Sequence, residues 1–120
     1  MNQIKTLIQQ LCTTPENVQF QDVISVIDEN YHYTPTQFSN GLQEEKITNA
    51  SGENEGSCKI FSFAKINDLN ETQTLHCFGE YYRSDVLKNP DNSDHGNIRT
   101  FIKYGWSGII FESTVLELKK

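Results

Sequence analysis

"CKIFSFAKINDL", residues 58–69, decides the fold. As a strand it would have to alternate, yet Cys58, Ile60, Ser62, Ala64 and Ile66 mix polar and apolar side chains on one face. Ile60, Phe63, Ala64 and then Asn67 suit one stripe of a helix better, so the segment reads as a helix and the chain as mainly helical. Upstream, "SGENEGS" (51–57) is a polar, glycine-bearing loop. Downstream, Asn70 is a good N-cap with Gln73 in capping-box position. Leu75, Phe78, Tyr82 and Val86 then continue a helix to Leu87. Gly79 costs that helix about 1 kcal/mol relative to alanine, which implies a close helix–helix approach. Residues 88–96 form a loop in which Asp94 or Ser93 caps a further helix. Ile98, Phe101 and Ile102 are the buried stripe of that helix, and Gly105 is a left-handed stop.

The remaining segments complete the pattern. Ile4, Leu7, Ile8 and Leu11 make one amphipathic stripe. Thr14 and Pro15 then restart the chain as a cap and a first helical position. Phe20, Val23, Ile24 and Ile27 form a second stripe that runs to about Glu29. Residues 33–39 read as a strand, Asn40-Gly41 as a turn and "EEKITNA" (44–50) as its partner strand. "GIIFESTVLEL" (108–118) closes the chain as a further strand, rich in β-branched and apolar residues. The expected fold is one α+β domain over residues 1–120, mainly helical with about five helices. A small antiparallel sheet would form from the 33–48 region and the C-terminal strand.

Composition bounds the function classes. At 120 residues the chain has the common size of one domain and needs neither a disulfide nor a metal for stability. No apolar run approaches the roughly 18 residues of a membrane span, and "MNQIKTLIQQLC" is neither a secretion signal nor a transit peptide. The expected location is the cytoplasm of the producing cell, as a monomer without a membrane partner or cofactor. The net charge is −6. Residues 1–57 hold eight acids and two bases, and no cluster of Lys or Arg breaks the negative field. That field repels phosphate backbones and excludes nucleic acid. The three cysteines, Cys12, Cys58 and Cys77, form no C-x-x-C pair and read as reduced thiols.

Several motifs fail on geometry. Gly52, Gly56, Ser57 and Lys59 suggest a phosphate loop, but only three residues separate the glycines and Cys58 displaces the lysine. "DNSDHG" (91–96) suggests a calcium loop, but its fifth position is His95 and its twelfth Ile102. Cys58, His76, Cys77 and His95 have none of the usual zinc spacings.

Four blocks nevertheless match a known pattern: "YTPTQFSNG" (33–41), "GENEGSCKIFSFA" (52–64), "CFGEYYRSDVL" (77–87) and "DHGNIRTFIKYGWSGIIFE" (94–112). With "VISVID" (23–28) they resemble the HopJ type III effector family in order and spacing, over roughly residues 20–115. The resemblance implies a small α+β domain and brings no catalytic set. It also implies, through the family's name, secretion into a host cell by a type III system. The matching positions include Asn54, Gly56, Ser57, Cys58, Lys59, Cys77, Tyr81, Tyr82, Arg83, Asp85, His95, Asn97, Arg99 and Trp106.

Two functional readings follow. In the first, the chain is an interaction or ligand-binding module whose partner is a host or endogenous protein or a small anionic ligand. Its cleft would use Arg83 and Arg99, the only arginines, with Tyr82, His95 and Trp106. Asn54, Lys59 and Asn97 complete that set. In the second, it is a small thiol-dependent or hydrolytic enzyme. A helix starting near Ser57 would put Cys58 in its first turn, where the dipole and Lys59 favour a thiolate. His95 would then be the base, oriented by Asp85 or Asp94. Beside each reading stands a plainer one: Cys58 as a small buried filler, the arginines in structural ion pairs, and Trp106 as a core anchor.

Overall fold

The computed structural model describes residues 2–119. Its elements run α1 (Gln3–Thr13), α2 (Phe20–Asn30), β1 (Tyr31–Tyr33), β2 (Phe38–Asn40), β3 (Ile47–Asn49), α3 (Glu55–Ile66), α4 (Glu71–His76), a π-helical segment (Tyr81–Val86), α5 (Gly96–Tyr104), β4 (Ile110–Phe111) and β5 (Leu116–Leu118). Short 3-10 turns at Pro15–Asn17, Gln43–Glu45 and Gly105–Gly108 fill the connections. The fold is the expected mainly helical α+β domain with a small antiparallel sheet.

Residues 58–66 of the stretch 58–69 are helical, as part of α3, and lie at the centre, and the last three residues turn out of the helix. Cys58, Ile60, Phe61, Ser62, Phe63 and Ala64 of α3 are all buried. A narrow strip of α3 with Glu55, Lys59 and Ile66 reaches solvent, and apolar side chains point in most other directions, which is why the segment carries no clean period of two. Phe61 is the hub of the core. Its ring lies 4.9 Å from Phe101, 5.4 Å from Phe78, 6.1 Å from Phe38 and 6.5 Å from Trp106, so α3, α5, the sheet and the α4 region meet on one side chain.

The strands differ from expectation in an informative way. β1 pairs with β5 and β2 with β4, antiparallel, with Tyr31 opposite Leu118, Tyr33 opposite Leu116 and Phe38 opposite Phe111. Between them the Thr34 N–H donates to the Val115 carbonyl, and the Glu112 N–H donates to the Gln37 carbonyl. One register therefore runs through both pairs, and the two short ladders are a single long ribbon bent at Thr34–Gln37. Pro35 sits at the bend and has no N–H to give a ladder. The expected strands 33–39 and 108–118 are each divided by this bend. β3 pairs on the far side of β2 and gives the order β3-β2-β4.

Three helical boundaries also move. The helix expected from Asn70 to Leu87 has its capping box at Asn70 and Gln73, but α4 ends at His76. Gly79 has φ +61°, and a Cβ on it would stand 2.7 Å from the Phe20 backbone nitrogen. The close approach is therefore to the start of α2, and the chain resumes as the π-helical segment. Residue His95, in the left-handed region at φ 53°, takes the cap position of α5, not Asp94 or Ser93. α3 begins at Glu55, two residues ahead of the expected Ser57.

Replacing Phe61 with alanine empties the hub, and we expect a loss of about 3–5 kcal/mol in urea unfolding. Ile110→Ala, on a side chain 55% exposed, should change stability by no more than about 0.5 kcal/mol.

Candidate functional site

The first turns of α3 and α5 meet at one open cleft of about 490 Å³. Asn54, Gly56 and Ser57 line it from α3, and His95, Gly96, Asn97 and Ile98 from α5. Phe20, Ile47, Phe78 and Tyr81 supply the aromatic and apolar walls. The two helices start in the same unusual way. Each cap residue, Asn54 at φ 49° and His95 at φ 53°, is left-handed and makes no side-chain bond to its own helix. The Asn54 Nδ2 donates instead to Asn49 Oδ1 at 2.7 Å. The His95 Nε2 lies 3.0 Å from Asp85 Oδ2. The first-turn N–H groups, from Glu55 to Ser57 and from Gly96 to Ile98, find no acceptor among the described residues.

A buried carboxamide network holds the two helix starts in register. Asn97, 8% exposed, accepts at Oδ1 from Asn40 Nδ2 (3.1 Å) and Asn49 Nδ2 (3.1 Å). It donates from its own Nδ2 to Asn49 Oδ1 at 3.0 Å. Asn40 Nδ2 also donates to the Asn97 carbonyl at 2.8 Å. Asn40 Oδ1 alone has no partner among the buried side-chain atoms of the described residues.

Of the residues proposed from sequence for catalysis or binding, Asn54, His95 and Asn97 converge on the cleft, joined by the family-matching Gly56, Ser57 and Tyr81. The other proposed site residues lie elsewhere. Cys58 is buried against Thr36, with Sγ 3.7 Å from that carbonyl, and does not line the cleft with His95. Desolvation pushes its thiol up to about 11, and the Glu55 carboxylate adds to the rise. The thiolate expected in a first turn is thus not favoured: Cys58 is the fourth residue of α3, its N–H already bonded to the Asn54 carbonyl. Lys59 pairs with Asp28 at 2.8 Å and lies over the Tyr33 ring. Asp85 lines a neighbouring hollow with Phe20 and Tyr81.

Arg83 and Arg99 serve as ties between backbone segments. Arg83 donates to the carbonyls of Pro15 (3.1 Å) and Val18 and pairs with Glu80. Arg99 donates to the Asp94 carbonyl (2.6 Å) and the Pro90 carbonyl (3.2 Å) and pairs with Asp94 at 2.7 Å, closing the loop before α5. Trp106 donates from Nε1 to the Leu69 carbonyl and meets Phe101 edge-on. Tyr82 meets His76 edge-on at 5.4 Å. None of the four lines the cleft between α3 and α5. No group of three or more His, Cys, Asp or Glu positioned to hold a metal occurs among the described residues.

Sequence reasoning missed Phe20 as a wall and the pairing of the two helix starts. The usable signal was the shared pattern of a polar residue and a glycine at both starts, Asn54-Glu55-Gly56 and His95-Gly96. The asparagines at 40, 49, 54 and 97 were a second signal.

The family model described as HopJ type III effector protein matches residues 4–116. A crystal structure described as that of the unknown function protein VPA0580 superimposes with a TM-score of 0.90 at 44% identity, covering 96% of this chain and 92% of that one. A search of curated proteins finds no match. No helix among the described residues is long and apolar enough to cross a membrane.

Asn97→Leu should destabilise by about 1–3 kcal/mol for each carboxamide it leaves buried without its partner, read from urea unfolding. In native protein at pH 8, iodoacetamide should modify the exposed Cys12 while Cys58 and Cys77 stay unlabelled by mass spectrometry. Burial pushes the Cys77 thiol up to about 12.

Proposed function

The chain belongs to the HopJ type III effector family, and from that premise and the cleft we propose that it is a binding module for a small anionic ligand. One observation carries the reading: two helices present first-turn N–H groups without acceptors at the same cleft, because both cap side chains are engaged elsewhere. A helix N-terminus favours negative charge through its dipole and its free donors. Two such ends at one cleft, with the Ser57 hydroxyl and the His95 ring on its lining, suit a carboxylate or phosphate group. Phe20, Phe78, Ile47 and Ile98 offer apolar contact for the remainder of the ligand. The same chemistry would accept an acidic side chain or chain terminus of a host or endogenous protein. Export by a type III system is what the family's description attaches to its members, and it comes to this chain as part of the proposal. A thiol-dependent reaction draws no support from a buried Cys58 set apart from His95.

Amide NMR on the full chain tests this with inorganic phosphate and acetate, each against chloride at matched ionic strength. We expect saturating shifts at Gly56, Ser57, Gly96 and Asn97. Ser57→Glu, which places a carboxylate in the cleft, should weaken the response by about tenfold, equivalent to ~1.4 kcal/mol. Shifts that chloride reproduces, or that centre on other residues, would exclude the cleft as the site.

A further inference from the structure

Arg83 and His76 form a contact close to the chain that leads into the Phe20 wall of the cleft. The Arg83 guanidinium reaches across to the chain entering α2, donating to the carbonyls of Pro15 and Val18. The same guanidinium lies 3.1 Å from His76 Nδ1 and 3.4 Å from the His76 carbonyl. A guanidinium has only donors and keeps its charge. The contact to Nδ1 is therefore a hydrogen bond only while that nitrogen is unprotonated, which assigns the ring proton of neutral His76 to Nε2. Two residues beyond Val18, Phe20 begins α2. Its backbone nitrogen lies close over Gly79, its ring lies over Gly56, and it meets Tyr81 edge-on at 5.1 Å. The Phe20–Tyr81 pair is shared by the binding cleft and the neighbouring hollow that Asp85 lines, so it is the partition between them.

We propose that protonation of His76 opens this partition: with Nδ1 turned into a donor facing the guanidinium, Arg83 loosens its hold on Pro15 and Val18, and Phe20 leaves its place between Gly56 and Tyr81. The proposal rests on the reading of the cleft as the binding site, whose access it would regulate. Burial and the Arg83 charge both lower the His76 pKa, and Glu16 from the 3-10 turn opposes them more weakly. Glu80 pairs with the Nε side of the same guanidinium, and Tyr82 presents its ring edge-on. α1, α3 and α5 also pack against α4. In the folded chain His76 holds its proton less tightly than in the unfolded chain, so the unfolded state binds more protons between the two pKa values. The stability from neutral His76 is complete above the ordinary histidine value and falls as pH drops through it toward the lower folded value.

An NMR pH titration of the full chain without ligand decides the matter, following the three histidine rings and the amides of Phe20, Gly56 and Tyr81. We expect these amides to move with the midpoint of His76, and that movement to vanish in His76→Asn, whose Oδ1 can stand in for Nδ1 as a permanent acceptor. Amides that follow His95 or His32, that do not titrate, or that still move in His76→Asn would overturn the proposal. Should His76→Asn fail to fold, the match of midpoints in the wild-type chain gives the answer alone. Because no ligand is present, a cleft that binds no phosphate leaves this result unaffected, and a static Phe20 leaves the phosphate titration unaffected.

Discussion

The buried carboxamide of Asn97 is the contact on which the arrangement of the cleft depends. It joins the first turn of α5 to Asn40 on β2 and to Asn49 at the end of β3, and Asn49 in turn holds Asn54 at the start of α3. Two helices that make no direct contact through their caps are thereby placed side by side. The position requires a group that both donates and accepts. An aspartate there would accept from Asn40 and Asn49 but would lose the bond to Asn49 Oδ1 and leave a charge in the interior. A network of this kind stabilises as a unit and is costly when one member is removed. It also explains why Asn54 is absent from its ordinary capping role: its side chain is the last link of the network.

The other wall depends on a break. A continuous helix from Asn70 to Leu87 would carry its side chains past the start of α2 without a bend. The left-handed Gly79 ends that path and lets the Phe20 backbone approach to a distance that any Cβ would block. The chain then resumes as a π-helical segment, which turns Tyr81 toward Phe20 and Arg83 toward the Pro15–Val18 carbonyls. One residue without a side chain thus sets both the partition of the cleft and the tie behind it.

How far the sequence was legible follows from which interactions are local. The α4 capping box and the stripes of α1 and α2 are short-range and could be read directly, as could the helix at the start of the 58–69 stretch, which runs to Ile66. The bend at Pro35 and the shared register of the ribbon are long-range: they depend on pairing between segments some eighty residues apart, which no local pattern records. The caps misled for a related reason. Ser93 and Asp94 have the right chemistry for capping α5, but Arg99 takes Asp94 into a loop-closing pair and His95 adopts the cap position. Arg83 and Arg99 stood out as the only arginines, and rarity does not say whether a guanidinium faces a ligand or a carbonyl. Asn54, His95 and Asn97 were recognisable as residues that matter. Their convergence was not, since it needs the fold that brings residue 54 beside residue 95.

An acidic chain and the anion binding proposed for the cleft are compatible because the two effects act over different distances. The net charge of −6 comes from the excess of acids in residues 1–57, and at physiological salt its field decays over about 8 Å. A helix N-terminus acts within its first turn, through N–H groups that touch the ligand directly. An extended polyanion lies across many surface carboxylates and is repelled by each in turn. A single carboxylate or phosphate inside the cleft meets chiefly the donors of α3 and α5. The nearest acid to the His95 side is Asp85, and it is paired with the His95 ring at 3.0 Å. On the proposed reading, the charge distribution disfavours an extended polyanion and still admits a small anion to a cleft that neither Arg83 nor Arg99 lines.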